Sequence, residues 1–452
     1  MADAVSVQSF LMAIAAGNKA VVFSYVRRSP ETWKKDADEY GNSPLHFARD
    51  AEMAECLILA GAHVEAVNSL NVTPFLQAVY EGNERVLSVL IEKGCNIYAK
   101  NSNGDGALAI ASAEGHFNVG VRLVRLGLGV NERHQNGFTS LHCACWGDRV
   151  EITAYLIAAG AHIEALNRWG RTPFLEAVFN GRKKVINVLI GKGCNLHAKD
   201  MNGNGALAIA LQKGHLAIGR QLIQLSLQIN EANKDGVTPL HWACLGEHVE
   251  MACHLVSSGA NIEAVNKWGR TSFLEAVFGG KEEVIDALIR MQCNVYAKDG
   301  IGNGALALAS YKGRLQIAKR LVVLGGMNVK DSDQNGLTSL HWACVGGHAE
   351  MAEYLVTAGA DIEARNKWGR TPFLEAVHYG KNGVLRLLIE KRCNIDAKDN
   401  ASNGALEIAN LRKHFKLKDE LQDMFSNRKV EHCFSGKSDL NEDILKDKDF
   451  TS

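Results

Sequence analysis

The chain has 452 residues, 46% of them hydrophobic and 22% charged, which is ample material for a buried core and excludes a disordered polymer. Its 50 basic and 50 acidic residues cancel, so no global excess argues for nucleic acid and none for an acidic solvating tail. Eleven cysteines, an odd number with no Cys-x-x-Cys pair, argue against a disulfide framework and read as reduced thiols of a cytoplasmic or nuclear protein.

The opening Met1-Ala2-Asp3-Ala4-Val5 places no basic residue ahead of apolar residues 10–16, so a signal peptide is not expected there. No uninterrupted apolar run reaches the roughly 18 to 20 residues that span a bilayer, and no membrane insertion is expected. Residues 5–37 read as an N-terminal helix pair, 7–16 and then 19–27, serving as a cap. From Asp38 the sequence repeats with a period near 33, giving twelve units that begin at Asp38, Asn68, Asn101, His134, Asn167, Asp200, Asn233, Asn266, Asp299, Asp333, Asn366 and Asp399. After about Asn427 the pattern stops, and 428–452 reads as a flexible polar tail.

Three unit types alternate. The first is clearest in Asn335-Gly336-Leu337-Thr338-Ser339-Leu340-His341-Trp342-Ala343-Cys344, where Gly336 suits a positive-φ turn and Thr338 an N-cap. Gly347 and Gly359 then close its two helices. The second type is Asn366-Lys367-Trp368-Gly369-Arg370-Thr371-Pro372-Phe373-Leu374-Glu375-Ala376-Val377, with close copies from Asn266 and Asn167 and a weaker one from Asn68. The last three copies lie 99 or 100 residues apart. The third type, seen at Gly203-Asn204-Gly205-Ala206-Leu207-Ala208, replaces Thr by Gly and Pro by Ala, so its helix loses its cap at a cost of about 1 kcal/mol. Those units are expected to be the weakest joints. Two length irregularities accompany them: an extra residue at Gly325-Gly326-Met327, and a unit from Asp38 that is about three residues short.

Thr238-Pro239-Leu240-His241-Trp242-Ala243 is similar to the T-P-L-H-x-A signature of ankyrin repeats, at that family's period. The resemblance covers roughly 5 to 425. It implies an all-α repeat solenoid of helix-turn-helix units with β-hairpin turns, stacked in a curve. It also implies that His46, His142, His241 and His341 are structural, bonding locally and linking turns. The second type carries Leu175, Leu274 or Leu374 in place of that histidine, so its turns are expected to be held by packing. Glu176, Glu275 and Glu375 read by default as solvated charges, with pairing to a nearby Arg or Lys as the alternative.

No nucleotide loop, zinc spacing or nucleophile elbow stands out, and no catalytic residue or cofactor is expected. The cluster Leu141-His142-Cys143-Ala144-Cys145 suggests a metal, but its sister copies hold Trp242 and Trp342 in place of Cys143, which favours packing. What remains is surface. The resemblance implies partner contacts at the residues flanking each turn glycine and at the end of the first helix. In the second type these are Arg168, Trp169, Arg171 and Phe179; Lys267, Trp268, Arg270 and Phe278; Lys367, Trp368, Arg370 and Tyr379. Trp and Arg are favoured at interaction hot spots. The alternative is that each Trp folds over the neighbouring hairpin with its Arg stacked on the ring. The expected function is a non-catalytic scaffold or adaptor binding a protein partner on the concave face of the solenoid. A regulatory or targeting subunit of a phosphatase or ubiquitin ligase is the second reading, and nucleic-acid binding through the hairpins the third and weakest.

Overall fold

The structure, a computed structural model, describes residues 7–28, 33–225, 227–323 and 326–423. The tail from 428 lies outside the described residues, as does part of the irregularity near Gly325. The fold is an all-α repeat solenoid. Apart from helices, the described residues pair only at isolated antiparallel bridges, such as Lys199 with Gly205 and Val265 with Thr271. Tertiary contacts divide the chain into two units, Met1–Lys234 and Asp235–Ser452.

In the first unit, helices Val7–Ala15 and Lys19–Arg28 pack around Phe10, which stacks on Tyr25 and meets the edge of the fully buried Trp33. The repeat that follows is abbreviated. Its first helix shrinks to the 3-10 turn Pro44–Phe47, because Asp50 already caps the next helix, Ala51–Leu59. Regular pairs succeed it, of which Pro173–Phe179 with Lys183–Gly191 is representative. The first helix contacts both Ser140–Trp146 and Ala206–Gln212. It is therefore buried almost all round, with Phe174, Leu175, Ala177 and Val178 fully buried and the one polar side chain, Glu176, buried among them. The second helix has one neighbouring layer and buries only the stripe Val185, Ile186 and Leu189.

The second unit repeats this scheme: Ser339–Gly346 packs between Ala305–Lys312 and Pro372–His378, and its partner helix Ala349–Thr357 buries Met351, Ala352 and Leu355. A last pair is Ala405–Leu411 with a helix at 415–423. Cysteines fill small gaps in both units. Cys145, Cys194, Cys244, Cys293, Cys344 and Cys393 are buried, and burial pushes the Cys194 and Cys293 thiols up to about 12. Thiols held protonated in this way are poor nucleophiles and poor metal ligands.

One device recurs at the hairpins. The Asn or Asp that opens a repeat accepts the backbone N–H groups two and four residues on: Asn68 from Leu70 and Val72, Asp200 from Asn202 and Asn204, Asp333 from Asn335 and Leu337. A short polar side chain thus does the work of a strand partner and folds the turn. Successive hairpins are then joined by the backbone, as where the Arg168 N–H donates to the Asn136 carbonyl at 2.8 Å and the Lys367 N–H to the Asn335 carbonyl at 2.8 Å.

The first-type histidines tie the two devices together. His241 Nδ1 accepts from the Thr238 N–H at 3.2 Å and its Nε2 meets the Arg270 carbonyl at 3.1 Å. A backbone N–H can only donate, so the proton sits on Nε2 and the imidazole is neutral. His341 bridges Thr338 and the Arg370 carbonyl in the same way, and His142 bridges Thr139 and the Arg171 carbonyl. Burial pushes His142 and His341 down to about 4.

Between that value and the ordinary 6.5 the unfolded chain holds protons that the folded chain does not. The stability these rings contribute is full above pH 6.5 and is lost as the pH falls towards 4, at about 1.4 kcal/mol per pH unit for each. Ring-carbon NMR titration is expected to place both midpoints near 4; midpoints near 6.5 would contradict the bridge. The third-type helices Ala206–Gln212 and Ala305–Lys312 start at Gly205 and Gly304, with no side-chain cap. Amides of residues 203–206 and 302–305 are expected to exchange faster than those of 236–240, and equal protection would remove the weak joints.

Candidate partner-binding site

The second-type hairpin separates into residues that build it and residues that do not. Asn366 Oδ1 accepts the Trp368 and Arg370 N–H groups, both at 3.0 Å, while its Nδ2 donates to Glu375 Oε1 at 2.8 Å. Asn266 makes the same set with Trp268, Arg270 and Glu275. The glycine is forced. Gly269 has φ 72°, and a Cβ there would come within 2.4 Å of the Gly300 nitrogen, whose N–H donates to the Trp268 carbonyl at 2.8 Å. The tryptophan backbone is thus part of the inter-repeat ladder, whatever its ring does.

Two expectations change here. Glu176, Glu275 and Glu375 are not solvated: they are only 3–7% exposed. Each is bonded to the hairpin asparagine and faces the guanidinium of Arg171, Arg270 or Arg370 at 3.5, 3.7 and 3.5 Å. These three turns are therefore held by a buried Asn–Glu–Arg cluster and not by packing alone. The physical reason is geometric: leucine at the histidine position cannot reach the next hairpin, so the glutamate one residue on closes the turn from within its own unit.

The arginines are correspondingly committed. Arg171 lies 3.6 Å over the Phe179 ring and Arg270 4.1 Å over Phe278, with Lys213 and Lys312 at 4.1 and 4.2 Å on the same two rings. Arg270 and Arg370 also reach Asp299 and Asp399, both at 3.8 Å, and Arg370 lies beside His378, whose ring meets Tyr379 edge-on. Burial and then the neighbouring Arg370 and Arg412 push His378 down to about 4.

The tryptophan rings differ from all of these. Trp268 is 48% and Trp368 41% exposed. Each is covered on one side by the lysine before it, with Lys267 and Lys367 both 4.7 Å from the ring centre. Those lysines are anchored in turn, Lys267 to Asp235 at 2.8 Å and Lys367 to Asn335. Trp169 is half-buried: Arg168 lies 4.5 Å over it, Arg171 5.8 Å, and Phe138 meets it edge-on at 5.8 Å. The cation on the ring is thus mainly the residue before the tryptophan, not the arginine after it. Tyr379 is exposed, while Phe179 and Phe278 are half-buried beneath their cations.

Trp242 and Trp342 are half-buried, and Trp342 packs edge-on against Tyr311 at 5.6 Å. Trp146, which the repeat pattern does not single out, is 50% exposed. It borders a groove of about 750 Å³ that also reaches Trp169 and Phe179. The signal for it was available in the sequence, as a tryptophan where the related units place Leu245 and Val345. Among the described residues no cluster of His, Cys, Asp and Glu is placed to hold a metal ion, and no helix is long and apolar enough to cross a membrane.

A family model described as "Ankyrin repeats (3 copies)" matches residues 75–167, 108–200, 174–266, 273–366 and 306–399, well over half of the chain. Among curated proteins, the Arabidopsis thaliana E3 ubiquitin-protein ligase XBAT33 is 35% identical over 24% of this chain and 22% of its own length. Human transient receptor potential cation channel subfamily A member 1 is 27% identical over 28% of this chain and 11% of its own. Mouse protein phosphatase 1 regulatory subunit 12A is 30% identical over 17% of this chain and 7% of its own. The chain thus spans less than a quarter of these relatives. The crystal structure of the human ASB11 ankyrin repeat domain aligns with 48% of this chain and 97% of that one, at 26% identity and a TM-score of 0.44.

The buried cluster gives a direct test. Glu375→Ala leaves the Asn366 amide and the Arg370 guanidinium without their acceptor and is expected to cost about 2–3 kcal/mol in chemical denaturation, with Glu375→Gln costing less. A loss below about 0.5 kcal/mol would return the glutamate to the solvated class.

Proposed function

The chain belongs to the ankyrin-repeat family, and we propose that it is a non-catalytic scaffold or adaptor that captures a protein partner on the surface made by its hairpins and first helices. The observation that carries this reading is the exposure of Trp268 and Trp368 in hairpins whose other residues are consumed by the fold. Their backbones are fixed by the asparagine and the inter-hairpin bonds, and each ring is held by one stacked lysine. A rigid aromatic plane presented in this way buries apolar area on binding at little cost in side-chain entropy. Arg168 with Trp169, Lys267 with Trp268, and Lys367 with Trp368 form the proposed contact set. Arg171, Arg270 and Arg370 contribute an edge while holding the turn, and Phe179, Phe278 and Tyr379 complete the surface.

In this reading residues 5–37 cap the array, 38–427 form its repeats, and the protein acts in the cytoplasm or nucleus, where its thiols stay reduced. A regulatory or targeting subunit of an enzyme complex is the second reading, favoured by relatives that are named a ubiquitin ligase and a phosphatase regulatory subunit. Nucleic acid is disfavoured by the pairing of the hairpin lysines with Asp235 and Asn335.

Affinity capture with the wild type beside a Trp169→Ala, Trp268→Ala, Trp368→Ala triple variant tests the proposal. The variant is expected to lose its partners while its denaturation midpoint hardly moves. A variant that unfolds much more readily yet keeps every partner would make the rings structural.

A further inference from the structure

The three-unit block is duplicated along the chain, and comparing copies isolates what one of them has changed. In the later copy Trp342 and Tyr311 meet edge-on at 5.6 Å on neighbouring first helices, and Lys312 lies beside them at the end of its helix. The equivalent positions in the first unit are Cys143, Ala113 and Glu114. Two rings have become two small side chains, and a base has become an acid. Asp105 likewise stands where the other copies have Asn204 and Asn303.

The result is the groove of about 750 Å³ in the first unit, a volume typical of ligand sites. Its walls are aromatic, with Trp146, Trp169, Phe138 and Tyr80 all lining it. The half-exposed Trp146 ring stands at the end of helix Ser140–Trp146. The one base lining it, Arg171, is already engaged with Glu176 at 3.5 Å and with the Phe179 ring. That leaves the charge of Asp105 and Glu114 in excess. Both carboxylates line the groove together with Tyr80, whose hydroxyl accepts from the Asn101 amide at 2.8 Å. The hairpin bordering the groove has also departed from the common form: His134 replaces the usual Asn or Asp, and the turn becomes a 3-10 element with Asn136 at φ 66°.

An aromatic-walled cleft with uncompensated carboxylates is suited to one chemistry, a cation that offers both a charge and a flat or apolar surface. The geometry points to a specificity pocket for an arginine or lysine side chain of an extended peptide, stacked on Trp146 and paired with Asp105 and Glu114. The inference rests on the capture reading above and deepens it, by naming what one part of the partner presents.

Selection of random phage-displayed dodecapeptides on the full chain tests it, with Cys143→Trp, Glu114→Lys and Trp268→Ala/Trp368→Ala variants as counter-targets. Trp242 and Trp342 already occupy the position equivalent to Cys143, and Lys213 and Lys312 that of Glu114, so both groove variants use side chains that the fold accepts elsewhere; thermal melting checks this. The selected peptides are expected to converge on arginine or lysine at one position. They should bind Cys143→Trp and Glu114→Lys at least roughly tenfold more weakly than wild type. Peptides without a common basic residue, or equal binding to Cys143→Trp, would overturn the pocket. Loss confined to the Trp268/Trp368 variant would also overturn it while leaving the wider capture reading intact.

Discussion

The structure depends on a short polar side chain at the start of nearly every hairpin, His134 being the exception. An Asn or Asp there accepts two backbone N–H groups of the turn, and in the second-type units its amide reaches back to a buried glutamate. A turn of this kind has no strand partner, and its amides would otherwise need water. Once it is folded, its carbonyls are fixed in space and can receive the next hairpin and the histidine of the preceding unit. Helix packing supplies most of the buried area, but the hairpin chemistry sets the register in which one unit meets the next.

Much of the fold was legible in the sequence because a repeat states its rules many times. Glycine, threonine, proline and the apolar stripes recur at fixed spacing, and the helices form where those residues place them. The polar interior was less legible. Glu275 reads as a surface charge because glutamate usually is one; only the structure shows that Asn266 and Arg270 converge on it. The role of the opening Asn or Asp was written in nearly every unit, yet its function needs the positions of the amides two and four residues on. Arg270 looked like a free contact residue for the same reason, since sequence does not reveal that its guanidinium is shared between two carboxylates and the Phe278 ring.

The site was legible in outline and not in its divisions. Lys267 and Trp268 are what the fold does not use, and the tryptophan at 146 is a departure from the repeat that matters only because Cys143 and Ala113 have cleared the space beside it. Repetition makes architecture conspicuous and function inconspicuous: architectural residues recur, whereas a pocket arises where one copy breaks the rule. The hairpin tips follow the repeat and would give the array a general grip. The groove breaks it and would give the array a preference.

A stability scan across residues 366–377 tests this division of labour most directly, with every substitution scored by resistance to proteolysis in the full chain. Asn366, Gly369, Thr371 and Glu375 are expected to tolerate almost nothing, while Lys367 and Trp368 accept most residues with the fold intact. A Trp368 as intolerant as Gly369 would show that the ring belongs to the architecture and would contradict its assignment to a partner.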